Sequence, residues 1–355
     1  MNSFLIQAME NGTLPDALIR FGIRKLCRER LRDITEADPE KRLAKRRAYL
    51  RMLRDSPLAV ATQEANEQHY EVPAAFFDLV LGSHKKYSSA HFSRKDLTLD
   101  QAEAEALEIT MKRANLQDGQ KILELGCGWG SLTLAMAGKF PGAGITAISN
   151  SNSQREWILA KAKDAGLANV QVLTRNIVDV TGLEREFGCF DRVVSVEMFE
   201  HLRNYELLFS RISQWLKPDG ELFVHIFTHR DASYLFETAG EDNWMGRYFF
   251  TGGQMPAQDL FLDFQKDLEL VDQWAWPGTH YGETSERWLQ NLDRHREAVL
   301  KIFRQTYGEK DHQVWFQRWR IFFMACAELF NFDQGREWGV THYRFINRKP
   351  REGTP

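Results

Sequence analysis

Apolar residues recur along the chain with two different periods, and the switch between them marks out the elements. Over residues 1–55 the spacing is helical, and two or three helices are expected. One opens at Asp38-Pro39 in "DPEKRLAKRRAYLRML", where an acid precedes a proline at the first helical position. Residues 67–92, "EQHYEVPAAFFDLVLGSHKKYSSAHF", form an aromatic-rich connector, and a helix follows over about 98–115. From Lys121 the pattern alternates. Short apolar runs at 121–125, 144–149, 170–174, 191–196 and 221–227 are separated by helical stretches at 130–139, 151–165 and 203–216. This βαβα rhythm predicts an α/β fold, a mostly parallel sheet with helices on both faces. Two later runs, "LELVDQWAW" (268–276) and "WGVTHYRFINR" (338–348), are expected to pair at the sheet edge. The aromatic segments 233–266 and 285–332 read as helical lid insertions. The chain thus divides into an arm (1–66), a covering segment with its helix (67–118) and a core with its lid (119–355).

Composition narrows the picture only in places. The 355 residues are 43% apolar, 27% charged and 12% aromatic, with 10 Trp and 24 Phe, which suits either a large core or an aromatic-lined cavity. Net charge is −3, so no global field favours nucleic acid. Residues 20–54 hold 13 Lys/Arg and 5 Asp/Glu, a local +8 that leaves about −11 elsewhere. Such a basic helical segment is either a solvated face or a weak contact for an anionic membrane surface. The four cysteines are far apart with no C-x-x-C, which fits a reducing, cytoplasmic setting. The start, "MNSFLIQAMENG", does not read as a secretory signal, and no apolar run approaches a membrane span. Monomer and homodimer both remain open.

The candidate chemistry begins at "KILELGCGWGSLTLAM" (121–136). Glycines between a first strand and a first helix let backbone approach a ligand closely, and the helix N-terminus offers free N–H groups. Gly126, Gly128 and Gly130 give G-x-G-x-G rather than the dinucleotide fingerprint G-x-G-x-x-G, and Glu124 sits two residues before the first glycine. This E-L-G-C-G-x-G pattern resembles S-adenosylmethionine (SAM) binding in Rossmann-like methyltransferases; a dinucleotide site and a purely structural turn are the alternatives. The second strand ends in "ITAISNSNSQREWI", with no acid, so Asn150 and Gln154 are candidates for the ribose, although Ser151 and Gln154 also make a capping box. After the third strand, Asn176 and Ile177 stand where an adenine would be read.

The fourth strand runs directly into "VEMFEHLRNYE". Glu197, Glu200 and His201 therefore stand at the carboxyl edge of the sheet, three ionisable groups in five residues. They suit orientation of an amine and uptake of its proton. The bland reading is a helix start, where acids complement the dipole. His225 and His229 would lie about 13 Å apart on a strand, too far to share an ion, so no metal is expected.

The motifs "YSSAHF", "ILELGCGWGSL", "SNSNSQREWI", "MFEHLRNYELLF", "GELFVH" and "WRIFFMACAELFNFDQGREW" together resemble the cyclopropane-fatty-acyl-phospholipid synthase superfamily of SAM-dependent methyltransferases. Within it the chain is most similar to the coclaurine N-methyltransferase branch. The resemblance implies a class I methyltransferase fold with a seven-stranded, mostly parallel sheet and SAM as methyl donor. It implies a catalytic set of Glu197, Glu200 and His201, with Glu197 orienting an ammonium and Glu200 or His201 taking its proton. Tyr70, Tyr87 and Ser88 would close over the methionine end of SAM. Trp244, Phe249, Tyr281, Trp319 and Phe323 would line the substrate pocket, for which core burial is the plain alternative. The implied reaction is N-methylation of a small hydrophobic or aromatic amine. The alternative is methyl transfer to an unsaturated lipid, as in cyclopropane synthases. Against it, the cysteine of the "YSxAYF" motif is replaced by Ser89 and the late tyrosine by Phe322, which removes two members of the bicarbonate site expected in those enzymes.

Overall fold

In the computed structural model, residues 3–60, 72–238 and 243–348 are described. Strands β1 (Lys121–Leu125), β2 (Gly144–Ser149), β3 (Val170–Thr174), β4 (Phe190–Val196), β5 (Leu216–His229), β8 (Leu268–Pro277) and β9 (Trp338–Asn347) form one sheet in the order β3-β2-β1-β4-β5-β9-β8. The first five are parallel, and β9 runs antiparallel to both β5 and β8. Strand order reverses between β1 and β4, so a crevice opens at their carboxyl ends.

The two-residue alternation sorts the core. Leu123, Leu125, Val193, Leu222 and Val224 face one side, against Phe209 and Ile212 of helix Tyr205–Trp215 and Leu53 of helix Pro39–Asp55. Ile122, Ile145, Val194 and Phe223 face the other, against Leu107 and Met111 of helix Leu99–Arg113 and Met136 of helix Ser131–Lys139. Helix starts follow their local chemistry. Asp38 accepts from the N–H groups of Glu40 and Lys41 ahead of Pro39. Thr98 and Gln101 make a reciprocal capping box. Of the capping box expected at Ser151, the structure contains the Ser151 half, which accepts from Gln154 N–H at 3.3 Å. The Gln154 side chain turns instead to Ser149, accepting from its hydroxyl at 2.7 Å.

The lid departs from expectation. Among its described residues, segment 233–266 is mostly irregular, with a short antiparallel ribbon, β6 (Tyr234–Leu235) with β7 (Gln254–Met255), the short helix Trp244–Tyr248 and a 3-10 turn at Leu260–Asp263. Gly252, Gly253 and Pro256 interrupt any helix there. The second lid segment is helical but starts earlier, as Thr279–Arg294, and continues as Arg296–Asn331 with a break at Gly308 (φ 83°).

The arm helices Ser3–Glu10 and Asp16–Ile34 lie on the long lid helix. Ion pairs fasten them: Arg318 to Glu10 (3.0 Å), Arg320 to Asp16 (2.7 Å), and Arg20 and Arg24 to Glu328 (3.0 and 2.8 Å). Arg46 and Arg54 pair with Asp259, Asp263 and Glu206 of the core. Part of the basic charge of residues 20–54 is thus spent inside the molecule. No helix among the described residues is long and apolar enough to cross a membrane.

Candidate active site

At the end of β1 the chain turns through Gly126, Gly128 and Gly130, all at positive φ (75°, 51° and 77°). Two of the three are also demanded by close neighbours. A Cβ on Gly126 would meet Met198 at 2.7 Å, and one on Gly130 would meet Ile158 at 2.6 Å. A Cβ on Gly128 would meet nothing within 4 Å. That glycine lines a cavity of about 130 Å³ between β1, β4 and the segment 85–88. Tyr87, Ser88, Glu124, Gly126 and Gln154 line it too. Glu124 is buried and accepts a hydrogen bond from Thr133; burial pushes its carboxyl up to about 8. Ser131 Oγ and Thr110 Oγ1 are buried without partners among the described residues, and both residues line this cavity. An open glycine, a buried acid and two unsatisfied hydroxyls, one of them (Ser131) at a helix N-terminus, fit the amino-acid end of a SAM molecule.

Other expected binding residues fall elsewhere. Asn150 is exposed. Asn176 closes its own turn by accepting from Val178 N–H at 3.1 Å, and Ile177 is half-buried against the core beneath the sheet. Neither of these two lines the cavity. Tyr70 lies outside the described residues.

Glu197, Glu200 and His201 all reach the cavity wall, carried by the end of β4 and the 3-10 turn Phe199–His201. The two carboxylates are treated differently. Glu197 has φ 47°, a left-handed backbone uncommon outside glycine, and its N–H donates to His225 C=O at 2.8 Å. Its Oε1 is 3.1 Å from Ser89 N–H and 3.2 Å from His225 Nε2, and its Oε2 accepts from the Tyr281 hydroxyl at 2.6 Å. Burial pushes the Glu197 carboxyl up, while the nearby Lys86 charge and the Tyr281 and Ser89 donors pull it back. Glu200 is 1% exposed, and its Oε2 has no partner among the described residues. Burial first, then the neighbouring Glu197 charge, hold it well above the usual carboxylate range. His201 is half-buried, with its ring parallel to Phe250 at 5.9 Å.

A second, apolar cavity of about 520 Å³ lies between the arm and the lid. Tyr281, Phe227 and Phe250 belong to the walls of both cavities, so the two adjoin. Leu14, Ile19, Gly22 and Ile23 of the arm line its far side, and Glu29, Asp33 and Glu237 add carboxylates against Arg30, the one cation among its described lining residues. Of the residues expected to line a substrate pocket, Tyr281 and Trp244 do so, the latter donating to Glu10 at 2.9 Å. Phe249, Trp319 and Phe323 do not line either cavity. They form an aromatic layer behind the walls, Phe249 stacked on Phe322 at 4.3 Å. Phe322, at the position of the missing tyrosine, does line the smaller cavity.

Sequence reasoning passed over Lys86, a buried amine that donates to Ser88 Oγ and to the Ser89 carbonyl, both at 2.6 Å, with its pKa pushed down to about 8 by burial. It also passed over the catalytic-edge contacts of His225, and over His342, its partner across the β5–β9 pair. Alternation in "VTHYRF" alone would have placed His342 on one face of β9, but not opposite His225.

A model of the family described as mycolic acid cyclopropane synthetase matches residues 59–336. The (S)-coclaurine N-methyltransferases of Thalictrum flavum subsp. glaucum and Papaver somniferum are 35% and 36% identical to the chain, each over 96% of it and over 94% and 97% of those proteins. The cyclopropane-fatty-acyl-phospholipid synthase of Escherichia coli is 25% identical over 79% of this chain and 68% of that one. A crystal structure of coclaurine N-methyltransferase bound to N-methylheliamine and SAH superposes with a TM-score of 0.92, at 33% identity, covering 96% of this chain and 98% of that one. The cyclopropane synthase MmaA2 of Mycobacterium tuberculosis shares the fold, with a TM-score of 0.68 at 22% identity, over 82% of this chain and all of that one. With the E-L-G-C-G-x-G turn, the seven-stranded sheet and these matches agreeing, the chain belongs to the mycolic acid cyclopropane synthetase family and is a SAM-dependent methyltransferase sharing most of its length with the coclaurine N-methyltransferases.

Proposed function

We propose that the chain transfers methyl from SAM to the nitrogen of an amine carried on an apolar, aromatic-sized body. The observation that carries this reading is the Glu200 carboxyl: buried, without a partner at Oε2 among the described residues, and lining the smaller cavity, whose wall at Tyr281 is shared with the larger one. An amine nitrogen is the partner that such an oxygen lacks. SAM, when bound, supplies an electrophilic methyl on a sulfonium. Tyr87, Ser88, Glu124, Gly128 and Gln154 would hold its near end. The names of the relatives support the same chemistry: a coclaurine N-methyltransferase, and a structure of one bound to N-methylheliamine and SAH.

The residues divide the remaining work. Glu29, Asp33 and Glu237 at the larger cavity draw in an ammonium. The aromatic wall receives its apolar body and favours its charge. Glu197, already engaged by three donors, fixes the negative potential of the site rather than contacting the amine. Glu200 accepts the ammonium proton, because its raised pKa brings it nearer to that of an amine than an ordinary carboxylate. The positive charges of donor and ammonium return it to its ionised form as the complex assembles. The neutral nitrogen then forms its bond to the methyl carbon while the sulfur keeps the electron pair of the broken bond. His201, on the same wall, lies where a proton can be passed on.

The test is incubation with methyl-labelled SAM and a panel of secondary and tertiary amines, including the secondary amine corresponding to N-methylheliamine, alongside vesicles of unsaturated phospholipid. Label in an amine product is expected. Label in lipid alone, with protein that pellets with the vesicles in a salt-sensitive way, would replace this reading with the lipid one.

A further inference from the structure

A file of four side chains runs along one face of the sheet to Glu197. Arg113, the last residue of helix Leu99–Arg113, places a guanidinium nitrogen 3.0 Å from His342 Nδ1. His342 Nε2 lies 2.8 Å from His225 Nδ1. His225 Nε2 lies 3.2 Å from Glu197 Oε1. Both histidines are fully buried, directly opposite one another in the β5–β9 register. Trp276 packs against all three upstream rings and groups: 5.6 Å from the guanidinium, 4.4 Å from His342 and 5.5 Å from His225.

The direction of every bond in this file follows from one fact. Arginine can only donate. His342 Nδ1 must therefore accept, which leaves the proton of a neutral imidazole on Nε2. That N–H donates to His225 Nδ1, which must accept in turn, so the His225 proton also sits on Nε2 and points at Glu197. A second proton on either ring would set N–H against N–H, and burial disfavours it as well. If Arg113 were absent, the opposite pair of tautomers would be open. His225 Nε2 would then present a lone pair to the Glu197 carboxylate, which must turn away or become protonated.

We propose that Arg113 is a positioning residue for the methyl transfer: acting through His342, it fixes His225 as a proton donor and so holds Glu197 as an oriented, ionised carboxylate. Arg113 lines neither cavity, so its hydrogen-bonded route to Glu197 runs through the two imidazoles. The inference rests on the reading that the Glu197–Glu200 pair serves the transfer, but the state of the imidazoles can be measured with no substrate present.

The experiment is long-range ¹H–¹⁵N correlation of the histidine rings in ¹⁵N-labelled protein, on the wild type, Arg113→Leu, His342→Gln and His342→Phe. The wild type is expected to show His225 and His342 as Nε2–H tautomers. Arg113→Leu is expected to populate the Nδ1–H tautomer of His225. Glutamine at 342 accepts from Arg113 and donates to His225, so His342→Gln keeps the His225 tautomer, and His342→Phe loses it. With labelled SAM and the secondary amine corresponding to N-methylheliamine, Arg113→Leu and His342→Phe are expected to lose about tenfold in kcat with little change in the KM for SAM, and His342→Gln to retain most of it. An Nδ1–H tautomer of His225 in the wild type overturns the proposal. So does a changed tautomer in Arg113→Leu or His342→Phe with kcat intact. The wild-type spectrum and the two His342 variants decide the matter even where Arg113→Leu does not fold.

Discussion

Glu197 and Glu200 are the same residue type three positions apart, and the fold gives them opposite surroundings. Glu197 is met by a backbone N–H, an imidazole and a phenol. Glu200 has an oxygen that nothing among the described residues meets. Removing the basic oxygen is therefore expected to stop chemistry and spare the donor site. In Glu200→Gln, kcat should fall by about 10²- to 10⁴-fold while SAM still binds by titration. Glu124 makes a different prediction. Its folded-state pKa of about 8 stands above the unfolded value of 4.5, because burial disfavours the carboxylate. The folded chain then holds the proton more tightly, so this contribution to stability is complete below 4.5 and is lost as pH rises through about 8. Thermal melts without SAM should show Glu124→Gln losing less stability across that window than the parent chain.

At the scale of elements, helix Asp16–Ile34 is both a tether and a wall. Gly22 sits within it, lines the apolar cavity, and has open space where a Cβ would be. Gly22→Leu should stabilise the chain by about 1 kcal/mol through helix propensity. It should also raise the KM for bulky amines and leave that for small ones unchanged, as paired melts and kinetics would show. The strands that frame the site were legible in the sequence, because Leu123, Leu125, Val193 and Val224 alternate with residues of the other face. The ribbon of the first lid segment was not, since aromatic density has no period of its own and glycines cut the helical one. Glu197, Glu200 and His201 were legible because one strand end carries all three. Arg113 and His342, and the place of His225 between them and Glu197, were not, because each comes from a different element and only the β5–β9 register sets the two histidines against one another. The substrate aromatics were partly legible: the family resemblance put Trp244 and Tyr281 at a cavity, where they are, but also Phe249, Trp319 and Phe323, which stand behind its wall.

Across the whole molecule, the reversal of strand order opens the crevice, the lid narrows it, and the arm completes the apolar chamber. None of these parts makes the chamber alone, which is why residues as distant in sequence as Ile19, Phe227 and Tyr281 line one cavity. The arm is held down by apolar contacts of Met9, Ile19 and Cys27 with the core and, around them, by the Glu10, Asp16, Arg20 and Arg24 pairs with the lid helices. Counter-ions compete with such fastenings, and at molar salt the Debye length shrinks to about 3 Å. The chamber's roof is thus expected to loosen in brine while its floor, a hydrogen-bonded sheet, stays put. Stopped-flow measurement of amine release across a sodium chloride series should show faster departure as salt rises, with SAM release little altered, so that the ionic strength of the surroundings becomes a throttle on how long a guest remains.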